Sequence, residues 1–108
     1  NEIPGEVENG VVVTPVGVFA RQGVVTGEDV TVCVRPHGVS ISEPGQGVPG
    51  RLLGRRFLGE VELLDIAVDG IERPLKARSR SMSPVPVGSE VGVLIDEAAV
   101  LMFPVNGD

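Results

Sequence analysis

The 108 residues contain no Trp and no Tyr, and the only aromatics are Phe19, Phe57 and Phe103. An aromatic core is therefore excluded. Stacking of single-stranded nucleic acid on a barrel face needs exposed rings, and three Phe are better used in an aliphatic core. Cys33 is the sole cysteine, so no intrachain disulfide forms, which fits a reducing compartment. Lys76 is the sole lysine, and no Gly-rich loop ends in Gly-Lys-Ser or Gly-Lys-Thr. Phosphate cradling at a helix N-terminus of that kind is absent, as is the Leu-Ser-Gly-Gly signature of ABC ATPases. No apolar run approaches the ~20 residues that span a bilayer. The opening Asn1-Glu2-Ile3-Pro4 lacks the basic and apolar parts of a signal peptide. It also lacks a Met, and we read the chain as an excised piece of a longer protein.

What is present is a Val-rich chain, 42% apolar, with 15 Gly and 9 Pro spread along it. Val is stiff at χ1 and favours strands. So many breakers exclude a long helix. The length suits one domain spanning 1–108, with roughly two-thirds of its unfolded surface buried. A division into halves, 1–44 and 49–108, is open at the loop from Glu43 to Pro49. The formal charge of −6 argues against a nucleic-acid partner. Arg51, Arg55, Arg56, Arg73, Lys76, Arg78 and Arg80 do gather in one stretch, but with acids between them they read as a solvated face.

Strand candidates recur every eight to twelve residues between turn signals, the rhythm of a small barrel or sandwich. They are Val11 to Thr14, Val16 to Ala20, a short Val24-Val25 and Val30 to Arg35. Val39 to Ser42, Gly50 to Leu58, Glu60 to Val68 and Ile71 to Ala77 follow, then Glu90 to Ile95 and Val100 to Phe103. Arg21-Gln22-Gly23 and Thr26-Gly27-Glu28-Asp29 read as turns, and Asp96 to Ala99 as one helical turn. Val30, Val32 and Val34 share one face of their strand, and Pro36 ends it. In Glu60 to Val68, keeping Glu60 and Glu62 in water conflicts in phase with keeping Asp65 in water. That conflict predicts a bulge near Leu63-Leu64. Asp69-Gly70 predicts a hairpin turn. Pro15 and Pro74 mark candidate edge strands. The expected core is Val30, Val32, Val34, Phe57, Leu64, Ile66, Val68, Val91, Val93 and Ile95.

No catalytic constellation emerges. His37 is the only histidine, and a nucleophile relay needs a base beside a Ser or Cys. Cys33 and His37 lie four apart without a second ligand pair, so a zinc site is not expected. Cys33, between two Val, reads as a small apolar filler. Glu97 to Met102 has no Lys for the acylated arm of a biotinyl or lipoyl carrier. No catalytic, cofactor-binding or metal-binding residue is assigned.

Two phrases carry a resemblance. Val32-Cys33-Val34-Arg35-Pro36-His37-Gly38-Val39-Ser40-Ile41 and Gly50-Arg51-Leu52-Leu53-Gly54-Arg55-Arg56-Phe57-Leu58-Gly59-Glu60 resemble the TOBE domain of ABC-importer ATP-binding subunits. In that family a strand ends in Val-Arg-Pro-Glu, and a Gly-bounded strand ends in Phe-Leu-Gly. The matching positions are Gly27, Arg35, Pro36, Phe57, Leu58, Gly59, Gly88 and Val91; His37 departs from the commoner Glu. Asn1 to Val7 is similar to the segment where such subunits leave their ATPase domain, which is itself absent from this chain.

The resemblance implies an all-β fold, a small barrel of the oligonucleotide/oligosaccharide-binding (OB) type with added strands. It implies a non-catalytic regulatory and dimerisation role, nearest the importers of ferric iron, sulfate, polyamines or sugars. ATP and Mg would belong to the parent's ATPase domain, and this segment would hold no cofactor. The implied partners are a second copy, a membrane permease reached through the parent, and a regulatory protein or small anion. The implied location is cytoplasmic, at the inner face of the cell membrane. An alternative is a small-oxyanion sensor of the molybdate type, with Ser79-Arg80-Ser81 as donors.

Overall fold

The alternation of Val and Ile with polar residues becomes two antiparallel sheets. The structure is a computed structural model that describes residues 1–20, 27–80 and 85–105. The first sheet contains β1 (Glu2–Glu8), β2 (Val11–Thr14), β3 (Gly17–Ala20), β4 (Asp29–Val34) and β10 (Val100–Pro104). The second contains β5 (Val39–Ser42), β6 (Val48–Phe57), β7 (Glu62–Ala67), β8 (Leu75–Ser79) and β9 (Glu90–Ile95). Their orders are β10-β4-β1-β2-β3 and β5-β9-β6-β7-β8. β5 and β8, at opposite ends of the second order, lie against each other, so that sheet curls into an OB-like half-barrel. The fold is all-β, as expected. The expected turn at Arg21-Gln22-Gly23 and strand at Val24-Val25 fall outside the described residues, as does Thr26.

Inward rows from both sheets form one aliphatic cluster that includes Ile3, Val7, Val12, Val32, Leu52, Ile66, Leu75 and Val93. Of the expected core, Val30, Val32, Val34, Leu64, Ile66, Val68, Val91 and Val93 are buried. Ile95 is only half-buried against it. Phe57 is a correction: it is 56% exposed, because it stands at the last pair of the β6–β7 ladder, past the β9 pairing that ends at Arg51. Phe103, also expected in the core, is 51% exposed on the outer face of the edge strand β10, so of the three Phe only Phe19 is buried.

The predicted bulge is also displaced. β7 keeps one phase throughout, with Glu62, Leu64 and Ile66 all inward. The irregularity lies in its partner, between Leu52 and Gly54 of β6. Leu52 pairs with Ile66, Leu53 is the extra residue, and the register resumes with Gly54 opposite Asp65, which sets Arg55 opposite Leu64 and Phe57 opposite Glu62. Glu62 faces inward instead of toward water because a cation on β6 balances it from within.

β1 was not anticipated, because Pro4 and Gly5 argue against a strand. Yet β1 pairs with β2 only from Glu6 onward, so Pro4 stands where the strand has a single neighbour, β4. Asn9 and Gly10, with φ of 51° and 81°, supply the left-handed pair of a tight hairpin turn between β1 and β2. β3 and β8 are indeed edge strands, beside Pro15 and Pro74. Asp69 and Gly70 do turn, but β8 begins only at Leu75, so the connection is a longer loop than the predicted two-residue hairpin.

The sheets are joined at two corners. A 3-10 turn at Pro36–Gly38 takes the chain from β4 to β5, and another at Glu97–Ala99 returns it from β9 to β10. Arg35 N–H donates to Ala99 C=O at 3.0 Å and Asp96 N–H to Gly38 C=O at 2.8 Å. Asn1 adds a third tie. Its Nδ2 donates to the carbonyls of Val34 on β4 and Lys76 on β8, at 3.0 and 2.8 Å, while Lys76 N–H donates to its Oδ1 at 2.7 Å.

Leu52 and Ile66 face each other across β6 and β7 and are wholly buried. Leu52→Ala is expected to cost about 2–5 kcal/mol through lost transfer energy and a cavity. Phe57→Ala should cost less than about 0.5 kcal/mol, as at an ordinary surface position. Urea melts of both variants check this; equal losses would contradict the observed phasing.

Candidate functional site

Apart from Val91, the motif positions occupy four corners of the fold. Arg35 precedes the Pro36–Gly38 turn, with its side chain exposed and its backbone fixed on Ala99. Pro36 stands at the first position of that turn, where a missing N–H is harmless and the fixed φ is pre-set. Gly88 N–H donates to Leu52 C=O at 2.7 Å, and its carbonyl accepts from Arg51 Nη1 at 2.6 Å. Val91 is buried opposite Gly50. Gly27, at φ 89°, donates its N–H to Val7 C=O at 2.8 Å. These residues set chain direction and do not converge on a reaction centre.

The Phe57-Leu58-Gly59 corner has a different character. Beyond the bulge β6 and β7, with β8 still alongside β7, run past the end of the β9 pairing as a finger, and Phe57, Leu58 and Gly59 make its tip. Leu58 N–H donates to Val61 C=O at 2.7 Å, and Gly59 takes a φ of 80°. Phe57 and Leu58 are 56% and 52% exposed. An aromatic and a leucine exposed side by side on a braced turn are groups suited to contact with a partner.

Sequence reading missed the ion pair at the base of this finger. Glu62 is 2% exposed. Arg55 Nε donates to Glu62 Oε1, and Arg55 Nη1 donates to Val85 C=O at 2.5 Å. Arg55 therefore neutralises a buried carboxylate and ties the segment before β9 to the finger. The signal was available: Glu62, Leu64 and Ile66 share a period of two, with a cation on the preceding strand.

Five of the seven cations of the Arg51–Arg80 stretch fall into two groups. Arg51 lies 3.6 Å from Glu90, Lys76 Nζ lies 2.5 Å from Asp65 Oδ1, and Arg55 holds Glu62. Arg56 and Arg78 instead flank Leu63 in register on the outer face of the finger, both exposed. Among the described residues neither forms an ion pair.

On the first sheet, Glu2, Pro4, Glu6 and Glu8 alternate on the outer face of β1. Beside them run Thr31 and Cys33 of β4, then exposed Leu101 and Phe103 of β10. A shallow groove of about 500 Å³ lies there, lined by Glu2, Pro4, Asp29, Thr31 and Val105 among others.

Cys33 is half-buried on β4, and His37 is exposed on the Pro36–Gly38 turn. Among the described residues no group of three His, Cys, Asp or Glu could hold a metal ion. Of the oxyanion alternative, Ser79 ends β8 and Arg80 follows exposed, while Ser81 falls outside the described residues.

A family model of the TOBE domain matches residues 32–103. The chain belongs to the TOBE domain family. No curated protein matches it. TOBE domains are non-catalytic regulatory or ligand-binding domains found in ATP-binding subunits of ABC transporters. The matched span runs from β4 to β10 and includes the Arg35-Pro36 corner, the Phe57-Leu58-Gly59 tip and Gly88. It leaves out β1, β2, β3 and Gly27.

Removing one member of a buried pair leaves the other charge less well balanced, at about 3–5 kcal/mol. Arg55→Met, which leaves the Glu62 carboxylate in place, should fall near the lower end. Arg55→Met with Glu62→Leu should recover most of the loss, since two apolar side chains fit a buried site. Chemical denaturation of the single and double variants decides it; a double variant as unstable as Arg55→Met would show that the pair is not the balancing charge.

Proposed function

We propose that this TOBE domain is a non-catalytic regulatory and dimerisation module of the ATP-binding subunit of an ABC importer. The observation that carries this is the family match over residues 32–103. Supporting it, the motif residues either hold backbone corners or, at Phe57 and Leu58, project outward from a braced tip. Corners of this kind transmit position, and an exposed tip offers contact.

In this reading the parent subunit couples ATP hydrolysis to solute import. ATP and Mg bind its ATPase domain, and the TOBE segment needs no cofactor. The subunit works at the cytoplasmic face of the membrane against a permease, and two copies pair by a two-fold contact. A regulatory protein or a small anion acting on the TOBE surface would bias that pairing.

Sedimentation equilibrium of the chain up to high micromolar concentration tests the pairing. A reversible monomer–dimer equilibrium is expected, and a clean monomer throughout would overturn self-association. Calorimetric titration with Mg-ATP should give no saturable heat. Titration with molybdate or sulfate separates the oxyanion alternative, which a stoichiometric transition would favour.

A further inference from the structure

We propose that the finger tip of one copy, with Phe57 and Leu58 at its end and Arg56 beside them, docks into the carboxylate-walled groove on β1 and β4 of a second copy. This rests on the reading of the domain as a pairing module, and it names the surfaces that pair.

The two surfaces are complementary in charge and shape. The tip is a braced turn that presents two exposed apolar side chains. Arg56 and Arg78 project from its outer face on either side of Leu63. The groove is concave, about 500 Å³, with Pro4 and Val105 as apolar wall and Glu2 and Asp29 as charged rim. Glu6 stands directly opposite Asp29 across the β1–β4 ladder, on the same outer face. Like charges facing each other across a ladder destabilise it. A cation brought from outside relieves that repulsion, and among the described residues neither Glu6 nor Asp29 forms an ion pair. Apolar groups ringed by opposite charges are the usual make-up of an interface core and rim.

A tip cannot reach the groove of its own chain. Gly70 and Ile71, in the loop after the opposite end of β7, line one pocket together with Pro4. The tip lies a strand length from that end, about 20 Å at the ordinary rise per residue. A second copy has to supply it. Each copy carries one tip and one groove, so a two-fold pair satisfies both contacts at once.

The test is sedimentation equilibrium of the whole chain at about 0.1 M and about 1 M salt, where the Debye length falls from about 10 Å to about 3 Å. The wild type should dimerise, with affinity weakened about tenfold or more at the higher salt. Arg56→Glu with Arg78→Glu should be monomeric, as should Glu2→Arg with Asp29→Arg. An equimolar mixture of these two variants should form a heterodimer near wild-type affinity, because every reversed charge then meets its opposite. Phe57→Ser, at an exposed position, should weaken pairing without unfolding the chain. A dimer indifferent to salt, to both charge reversals and to Phe57→Ser would overturn these surfaces while leaving pairing itself intact. Two monomeric variants that fail to recombine would also overturn it. A wild-type monomer at every concentration would overturn the pairing reading, and this inference with it.

Discussion

A carboxylate at a position only 2% exposed has to be matched by a cation, and the extra residue at Leu53 is what brings one to Glu62. Without it, the inward parity of β6 would run Leu52, Gly54, Arg56. With it, the inward row becomes Leu52, Arg55, Phe57, opposite Ile66, Leu64 and Glu62. One insertion therefore decides that Arg55 lies inside, that Arg56 faces out with Leu63, and that Phe57 stands at the mouth of the sheet. Burying an ion pair adds little net stability, since desolvation of both charges offsets their attraction. Its effect here is on register. A one-residue slip of β6 against β7 would leave Glu62 buried without Arg55, and that penalty enforces the observed alignment.

The finger built on this pair is held to the body by the segment leading into β9. Arg55 reaches the Val85 carbonyl, Gly88 and Ser89 exchange backbone bonds with Leu52, and Arg51 bonds the Gly88 carbonyl. Loop packing adds a second constraint nearby. A Cβ at Gly92 would stand 1.9 Å from the Gln46 carbonyl oxygen, so the loop after β5 closes over β9 only because that position has no side chain. The second sheet is thus fixed at its bulge, at the approach to β9 and beneath one loop. Its tip is the part left to solvent.

Much of the architecture was legible in the sequence. The sequence pattern places β9 at its observed ends, and β4 and β10 to within a residue, because clean alternation meets sharp stops such as Pro36. The Asp96 turn was legible because a carboxylate before Glu97–Ala99 caps it: Ala98 N–H donates to Asp96 Oδ1 at 3.0 Å. β1 was not legible, since local propensity at Pro4 and Gly5 opposes a strand that tertiary pairing nonetheless makes. Phe57 was misplaced for a related reason. Hydrophobicity reports what would gain from burial, but the register set by a bulge determines what is buried. The motif positions were found through resemblance, which identifies the corners of a fold better than its core, because corners require particular residues whereas cores accept many aliphatic ones.

That distinction bears on what the domain can do. A site for chemistry draws polar side chains from several elements toward one point, and the motif residues here do the opposite. Arg35-Pro36 steers the crossing between sheets, Gly88 braces the approach to β9, and Phe57-Leu58-Gly59 shapes a tip. The charges follow a similar separation. Three cations of the Arg51–Arg80 stretch are paired within their own sheet, whereas Arg56 and Arg78 face outward on the finger and the carboxylates of β1 face outward on the other sheet. Like charges set in register across a strand ladder raise the energy of the isolated chain. The arrangement lowers that energy only when a surface of opposite sign covers it, so the same charges that destabilise the free domain favour its docking. Because they lie at the surface, that preference is sensitive to salt, unlike the buried Arg55–Glu62 pair that holds the finger in place.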